Sequence, residues 1–509
     1  MKKREVLKLG IPLGPAIKAA LAACGAAADA GWSKQQIRDA LRDLARAPES
    51  FVDHALLGPV AAHLVRRTPL QDSYALRADL EYAVWGADID AAAHEQMRNA
   101  CRLPVSVAAA LMPDAHLGYG LPIGGVLATV DAVIPYAVGV DIACRVKMTV
   151  FDLSPDVLRQ NEHKYAGILE RDTKFGVGAG WRGGERPDHP VMDDDWRVTP
   201  LTDRLKDLAW KQLGTSGSGN HFVEFGVVEF GAGGTGVSPA GEERWPARST
   251  EQARAPAVHA PAAPARAHPG DARGPNPSRL PLPGRYLAVV SHSGSRGTGA
   301  QTCSYYSRVA RELHPNLPQE LRYLAWLPLD GDGAEYWAAM ELMGHYASAN
   351  HAVIHDKIIR SVGAPVLYQI ENHHNFAWKE THGGRELIVH RKGATPAGAG
   401  VLGYIPGSMT APGYLVEGRG DPRSLDSASH GAGRRMSRTQ ARRVTTWPDL
   451  KAYLAEQGVR LLSAGLDEAP QAYKNIDEVM QAQQELVRRV AKFTPKLVKM
   501  APEGERPED

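Results

Sequence analysis

A chain of 509 residues with 43% hydrophobic composition can bury a substantial core, which excludes a wholly disordered or fibrous polypeptide. Its 59 Lys+Arg against 57 Asp+Glu leave a formal charge of +2, so any surface that binds a polyanion must be local. Four widely spaced cysteines, Cys24, Cys101, Cys144 and Cys303, form no CxxC pair, so neither a disulfide framework nor a zinc ribbon is expected and a reducing cytoplasm fits best.

Met1-Lys2-Lys3-Arg4 and the Ala-rich stretch up to Cys24 imitate a lipoprotein signal. Pro12, Pro15 and Lys18 interrupt the apolar run, however, while Ile17, Ala20, Leu21 and Cys24 recur with helical period, which predicts a short amphipathic helix. No stretch approaches the roughly 20 apolar residues of a membrane span, and a soluble protein is expected. Residues 10–65 read as short helices, with Ser33 as an N-cap before Lys34, so residues 1–80 are expected to form a helical accessory region.

From about Tyr82 the texture changes to Gly-rich loops between short β-branched runs such as Gly125–Val130 and Val146–Val150. This predicts a sheet-based catalytic body of α/β (mixed α+β) class over residues 81–509. Residues 231–283 are rich in Ala, Pro, Gly and Arg with few large apolar side chains, a composition expected to be disordered. Strand-like runs flank it, Phe222–Phe230 before and Tyr286–Ser291 after, so it interrupts one domain rather than separating two. Helical period returns over Glu335–Ile359 and over Ile476–Phe493.

Five segments share one grammar of strand end, metal or nucleophile residue and, in most, a Gly-rich turn before or after it. Gly139-Val140-Asp141-Ile142-Ala143-Cys144-Arg145 offers a carboxylate and a thiol within reach of one ion, a donor set suited to Mn, Fe, Co or Zn; for that segment alone, a small buried cysteine beside a capping aspartate is the commoner reading. Gly214 to Glu224 places a Gly-rich turn, able to present N–H groups to phosphate, before His221; a tight turn with a surface histidine is the alternative. Ser291-His292-Ser293-Gly294-Ser295-Arg296 adds an imidazole and an arginine able to grip phosphate. Glu371-Asn372-His373-His374-Asn375 supplies another imidazole at a strand end. Ser429-His430-Gly431-Ala432-Gly433 sets a histidine among small residues that admit a nucleotide, followed by Arg434, Arg438 and Arg442, a basic stripe if helical.

The conjunction resembles a known family. Met112–His116 through Gly120–Gly125, Gly139–Cys144, Gly219–Phe222, His292–Gly297, His390–Thr395, Pro406–Met409 and His430–Arg434 resemble, in order, the motifs of the RtcB RNA ligases. The resemblance covers about Val84 to Met500, interrupted by the 231–283 insertion. It implies a mixed α/β fold that joins an RNA 3′-phosphate or 2′,3′-cyclic phosphate to a 5′-hydroxyl, with GTP and two Mn2+ ions as cofactors. RNA with such ends is the implied partner, and an activating protein partner stays open. By the same resemblance Asp141, Cys144, His221, His292 and His374 hold metal, with Cys144 shared between two ions. His430 becomes the guanylylated nucleophile. Asn220, Glu224, Asn375, Ser408 and Lys474 hold the guanine nucleotide, and Arg296, Arg434 and Arg438 bind RNA phosphates. The helical N-terminus and the insertion mark a variant of the family and leave tRNA splicing and RNA repair both open.

Two rival readings carry the same metal donors: a two-metal phosphatase or cyclic phosphodiesterase, and a non-catalytic metal-dependent RNA-binding protein. His430 discriminates, because a hydrolase has no need of a guanylylated histidine.

Overall fold

The computed structural model describes residues 1–11, 15–52, 54–61, 64, 74–231 and 280–505. They divide into two compact units, Met1–Leu70 and Gln71–Asp509. The sequence places the corresponding boundary at 80/81, beyond the point where the units part.

The first unit is helical: α1 (Lys3–Leu7), α2 (Pro15–Asp29) and α3 (Lys34–Arg46). Ser33 starts α3 as expected. Its hydroxyl accepts from the Gln36 N–H at 3.3 Å while the Gln36 side-chain oxygen accepts from the Ser33 N–H at 2.8 Å, a reciprocal cap that satisfies two otherwise orphaned donors. Ile17, Ala20 and Cys24 of α2 join Ile37, Leu41 and Leu44 of α3 in one apolar cluster. The lipoprotein-like stretch is thus an amphipathic helix with its apolar face buried. No helix among the described residues is long and apolar enough to cross a membrane.

The second unit is a mixed α/β body. Its longer strands are β1 (Ser106–His116), β2 (Ile123–Thr129), β3 (Arg145–Phe151), β4 (Phe222–Phe230), β5 (Gly284–Ser293), β6 (Val366–His373), β7 (Asn375–His382), β8 (Arg385–Lys392), β9 (Leu402–Ile405), β10 (Gly413–Gly418) and β11 (Val487–Met500). One sheet runs β9-β10-β11-β4-β5-β3-β6 and another β1-β2-β8-β7, with these pairings antiparallel. Along β5, Leu287 and Val289 enter one apolar cluster while Ala288 and Val290 enter another. Alternation of side chains across the strand therefore buries both faces of the large sheet, which leaves the strand ends and their loops for chemistry. The helices α4 (Arg296–Leu313) and α5 (Asp332–Val362) pack with Leu213, Trp326 and their neighbours into the largest core cluster.

Register brings the motif segments to one end of this sheet. Arg145 pairs with Ser293 on β5 and with His373 on β6, and Phe222 pairs with His292. Cys144, His221 and His374 sit one residue beyond those rungs, so residues far apart in sequence become neighbours.

The insertion leaves and re-enters this sheet at adjacent points, since Phe230 at the end of β4 is the cross-strand partner of Gly284 at the start of β5. The disorder expected over 231–283 falls almost wholly on residues 232–279, which lie outside the described residues. The helix expected over Ile476–Phe493 is corrected. After α6 (Arg438–Val444), α7 covers only Ile476–Ala482, and Val487–Met500 is strand β11. Its β-branched residues fit a pleated surface between β10 and β4, and Pro495, which has no N–H to donate, sits where the register with β4 shifts.

Candidate functional site

The strand ends and the loops after them enclose a cavity of about 740 Å3 lined by Asp141, Cys144, Asn220, His221, Glu224, His292, His374, Asn375, Ser408, His430, Arg434, Arg438 and Lys474. Of the residues to which the resemblance gives a metal, nucleotide, RNA or nucleophile role, only Arg296 is absent from this lining.

At its floor, the Cys144 sulfur lies 3.2 Å from Nε2 of His292 and 3.5 Å from Nε2 of His221. Nε2 of His292 is 3.2 Å from Nε2 of His374, and Nε2 of His221 is 3.0 Å from an Asp141 oxygen. Two overlapping sets of donors result, Cys144–His292–His374 and Asp141–Cys144–His221, all buried and sharing the thiol. The Nδ1–H of His292 donates to the Asn220 carbonyl at 3.1 Å, which leaves the Nε2 lone pair facing the cluster, the orientation a metal ligand needs. Burial, aided by neighbouring histidines, holds His292 and His374 well below the usual imidazole range, so both are neutral and able to donate to a cation. Burial pushes the Asp141 carboxyl up, but the His221 hydrogen bond and the charges of His221 and Arg296 outweigh it and keep the group below its ordinary value. Thiolate, imidazole and carboxylate together fit a borderline transition metal.

The backbone is shaped to hold this arrangement. A Cβ at Gly294 would fall 2.2 Å from both Asp141 carboxylate oxygens, so the His292 loop can approach Asp141 only with glycine there. Ala143 and Arg296 adopt left-handed backbone, with φ of 56° and 59°, at the turns that carry Cys144 and follow His292.

His430 follows the short strand Ser427–Ser429 and lies beside the cluster, its ring centroid 4.8 Å from that of His374. Nδ1 of His430 is 2.7 Å from Oδ2 of Asp114, which is fully buried, and the same oxygen accepts the His430 backbone N–H at 3.2 Å. A carboxylate only accepts, so Nδ1 carries a proton, and in the neutral ring the lone pair is at Nε2. Sequence reasoning placed Asp114 inside a motif without giving it a role. The spacing of 316 residues to His430 offers no local signal.

Elsewhere on the cavity wall, the Asn220 side-chain oxygen is buried without a hydrogen-bond partner. Glu224 is 5% exposed, and burial pushes its carboxyl up to about 8. Asn375 spans the site, its amide donating to the Asp141 carbonyl at 3.2 Å and its oxygen accepting from the Gly393 N–H at 2.8 Å. The Ser408 hydroxyl accepts from the Ala411 N–H at 3.3 Å, and the Lys474 ammonium donates to the carbonyls of Pro113, Ala115 and Asp88. Lys392, which the sequence reading passed over, also lines the cavity, and burial lowers its ammonium to about 8.

The arginines differ in placement. Arg434 bonds Glu468 at 3.3 Å and the Asp467 carbonyl at 2.7 Å, while Arg438 and Arg442 reach the Asp467 carboxylate at 3.1 and 3.2 Å. The basic stripe is thus held by two acids, with Arg438 and Arg442 on α6 and Arg434 before it. Arg296 is 2% exposed, and its guanidinium lies 3.4 Å from Nδ1 of His221 and over Gly217, where a Cβ would fall 2.1 Å away. It stands behind a metal-donor histidine rather than on the cavity wall.

The family model of the tRNA-splicing ligase RtcB matches residues 96–196 and 194–500. The RNA-splicing ligase RtcB of Escherichia coli K12 is 30% identical over 436 residues, covering 79% of this chain and 92% of that protein. The protein of the same name from Mycobacterium tuberculosis H37Rv is 32% identical over 466 residues, covering 79% and 98%. The tRNA-splicing ligase RtcB of Nanoarchaeum equitans is 30% identical over 474 residues, covering 79% and 90%.

Proposed function

The chain belongs to the RtcB family of RNA-splicing ligases, and on that premise we propose that it joins an RNA 3′-phosphate or 2′,3′-cyclic phosphate end to a 5′-hydroxyl through a guanylylated His430, using GTP and Mn2+. The observation that carries this reading is the Asp114–His430 pair: a buried carboxylate ties up Nδ1 and leaves Nε2 as the other ring nitrogen beside a cluster of candidate metal donors in one cavity.

In the first step Nε2 of His430 attacks the α-phosphorus of GTP. A P–N bond forms, the P–O bond to pyrophosphate breaks, and the imidazole becomes a phosphoramidate. An oxygen of the RNA 3′-phosphate then attacks the same phosphorus, the P–N bond breaks, and an RNA end capped with GMP results. The 5′-hydroxyl oxygen displaces GMP from the terminal phosphorus of that end and loses its proton, which leaves the new phosphodiester. Asp141, Cys144, His221, His292 and His374 would hold two ions with Cys144 between them, and such ions supply charge neutralisation at the phosphates. Asn220, with its unpartnered buried oxygen, Glu224, Asn375, Ser408 and Lys474 hold the guanine nucleotide. Arg434 and Arg438 meet RNA phosphate, which must compete with Asp467 and Glu468. Arg296, given its burial, serves the RNA-bound state by fixing His221. Splicing of tRNA and repair of broken RNA use the same chemistry, and both are proposed for this chain.

Incubation of the purified protein with GTP labelled at the α-phosphate and MnCl2 tests the reading. A covalent, acid-labile label on the wild type that is lost in His430→Ala supports it. Release of phosphate from 3′-phosphorylated RNA without any protein-bound label would instead identify a phosphatase.

A further inference from the structure

The segment Leu117–Gly120, between β1 and β2, is held rigidly yet leaves large apolar side chains in solvent. Gln96 clamps Gly118 on both sides, its amide donating to the Gly118 carbonyl at 2.6 Å and its oxygen accepting the Gly118 N–H at 3.0 Å. Lys392 donates to the Tyr119 carbonyl at 2.6 Å. Gly120, at φ +72°, lies against Tyr323, where a Cβ would come within 2.8 Å of the Tyr323 carbonyl oxygen. Despite these ties Leu117 is 57% exposed and Tyr119 61%. The Tyr119 ring is backed by Tyr323, 40% exposed, at a centroid distance of 5.7 Å, and Tyr323 in turn meets Tyr136 edge-on at 5.0 Å.

Packing does not explain an exposed aromatic face on an immobilised loop, because solvent exposure of Tyr119 forgoes the burial its ring offers. Its position does. Leu117 and Tyr119 line the same cavity as His430, and the Lys392 that tethers Tyr119 precedes Gly393, where a Cβ would lie 3.2 Å from the His430 ring. A fixed aromatic face at the mouth of a cavity that processes RNA ends is suited to a nucleobase, since every base presents a π-face and ends are single-stranded.

We propose that Tyr119, backed by Tyr323 and flanked by Leu117, is a stacking platform for a nucleobase of the RNA end being joined. The proposal rests on the RNA-ligase reading of the site but not on the guanylylation of His430. Stacking of this kind tolerates any base, so the platform grips RNA ends without selecting sequence, in keeping with an enzyme whose substrates share only their terminal chemistry.

The test uses the full chain and two short single-stranded RNAs of the same sequence. One carries 2-aminopurine at a 3′-phosphorylated terminus and the other at a 5′-hydroxyl terminus. Stacking quenches 2-aminopurine fluorescence. Quenching of the first RNA by the wild type assigns the platform to the phosphorylated end, and quenching of the second assigns it to the hydroxyl end. Either result, with loss of quenching and about tenfold weaker RNA binding in Tyr119→Leu but retention in Tyr119→Phe, supports the proposal. Tyr323→Ala weakens the same signal and provides a second variant if Tyr119→Leu loses its thermal transition. Quenching of neither RNA by the wild type, or equal quenching by wild type and Tyr119→Leu, overturns it. The fluorescence needs no GTP, so a wild type that quenches but takes no label from GTP would refute the guanylylated histidine while leaving the platform in place.

Discussion

Nδ1 of His430 and Oδ2 of Asp114 stand 2.7 Å apart although 316 residues separate them in the chain. The contact decides which imidazole nitrogen is free, and a Cβ at Gly433 would strike the Asp114 carbonyl oxygen at 2.1 Å, so the loop after His430 is shaped to let the two meet. Asp114→Ala is therefore expected to slow formation of the GMP adduct by about a hundredfold, because the ring loses both its tautomer and its aim. Metal content should stay at the wild-type level, since Asp114 belongs to neither donor set. Single-turnover labelling at saturating GTP checks it, and a wild-type rate in Asp114→Ala would remove the positioning role.

Cys144 is common to both sets of metal donors. Its loss should disturb two ions where loss of His374 or Asp141 disturbs one. On the proposal of two Mn2+ ions and a guanylylated histidine, Cys144→Ala falls from two bound Mn2+ per chain to fewer than one and loses adduct and ligation together. Cys144→Ser should bind weakly, because a hydroxyl is a poor substitute for a thiolate. Metal analysis after gel filtration reads the stoichiometry. Full occupancy in Cys144→Ala would show that the thiol is not a ligand.

The proposed donors drew attention because His, Cys and Asp side chains stand at or next to strand ends, most of them beside Gly-rich turns, a local pattern that sequence carries. Strands β2 to β6 were legible for the same kind of reason, since β-branched alternation shows in windows of five to eight residues. What escaped was set by distant contacts. Asp114 reads as one residue of an apolar strand until the fold brings His430 to it. Arg296 looks like a phosphate grip in a Gly/Ser turn, yet α4 begins at that residue and packing turns its guanidinium inward against His221. The run after Ala482 shows helical spacing, but the flanking β4 and β10 offer it a ladder on both sides, and tertiary pairing overrides a local period.

Glu224 gives the site a pH dependence. Burial pushes its carboxyl up to about 8, so it is mostly protonated at neutral pH. Holding guanine through its N–H donors, the proposed role, requires the carboxylate. Binding of GTP must then expel a proton, and affinity should rise with pH until about 8 and level off above it. Glu224→Gln is expected to bind GTP more weakly and without that slope. Titration calorimetry in two buffers of different ionisation enthalpy measures the proton released. No release at pH 7, with tight binding, would place guanine elsewhere.

The strands on either side of residues 232–279 are paired, with Phe230 opposite Gly284. A connection between paired strand ends needs only a few residues, so replacing 235–279 by a short Gly/Ser linker should preserve the β4–β5 hairpin and the His221 and His292 ends beyond it. Metal content and adduct formation are expected within about twofold of wild type, because surface-loop length costs little free energy. A shortened protein that melts as wild type yet binds no GTP would make the segment part of the site.

Buried histidines outside the two groups of candidate metal donors make the fold sensitive to acid, His390 and His314 among them. His390 donates from Nδ1 to the Leu127 carbonyl at 3.1 Å and accepts at Nε2 from the Ile134 N–H at 2.9 Å, so a second ring proton would face another N–H. His314 donates from Nε2 to the Trp326 carbonyl at 2.9 Å and accepts at Nδ1 from the Tyr74 hydroxyl at 2.7 Å. Burial lowers each to about 4, against about 6.5 in an unfolded chain. Between those values the unfolded state binds more protons than the folded one, so stability rises with pH there and falls on acidification. Each histidine contributes a loss of about 1.4 kcal/mol per pH unit below its unfolded value. The range from pH 6.5 to 5 isolates the histidines, because unfolded carboxylates take up protons mainly below about 4.5. His390→Gln keeps one donor and one acceptor but cannot titrate, so its urea midpoint should depend less steeply on pH than that of the wild type. Parallel pH profiles for the two proteins from 6.5 to 5, with both folded at pH 7, would show that His390 is not held neutral by the fold.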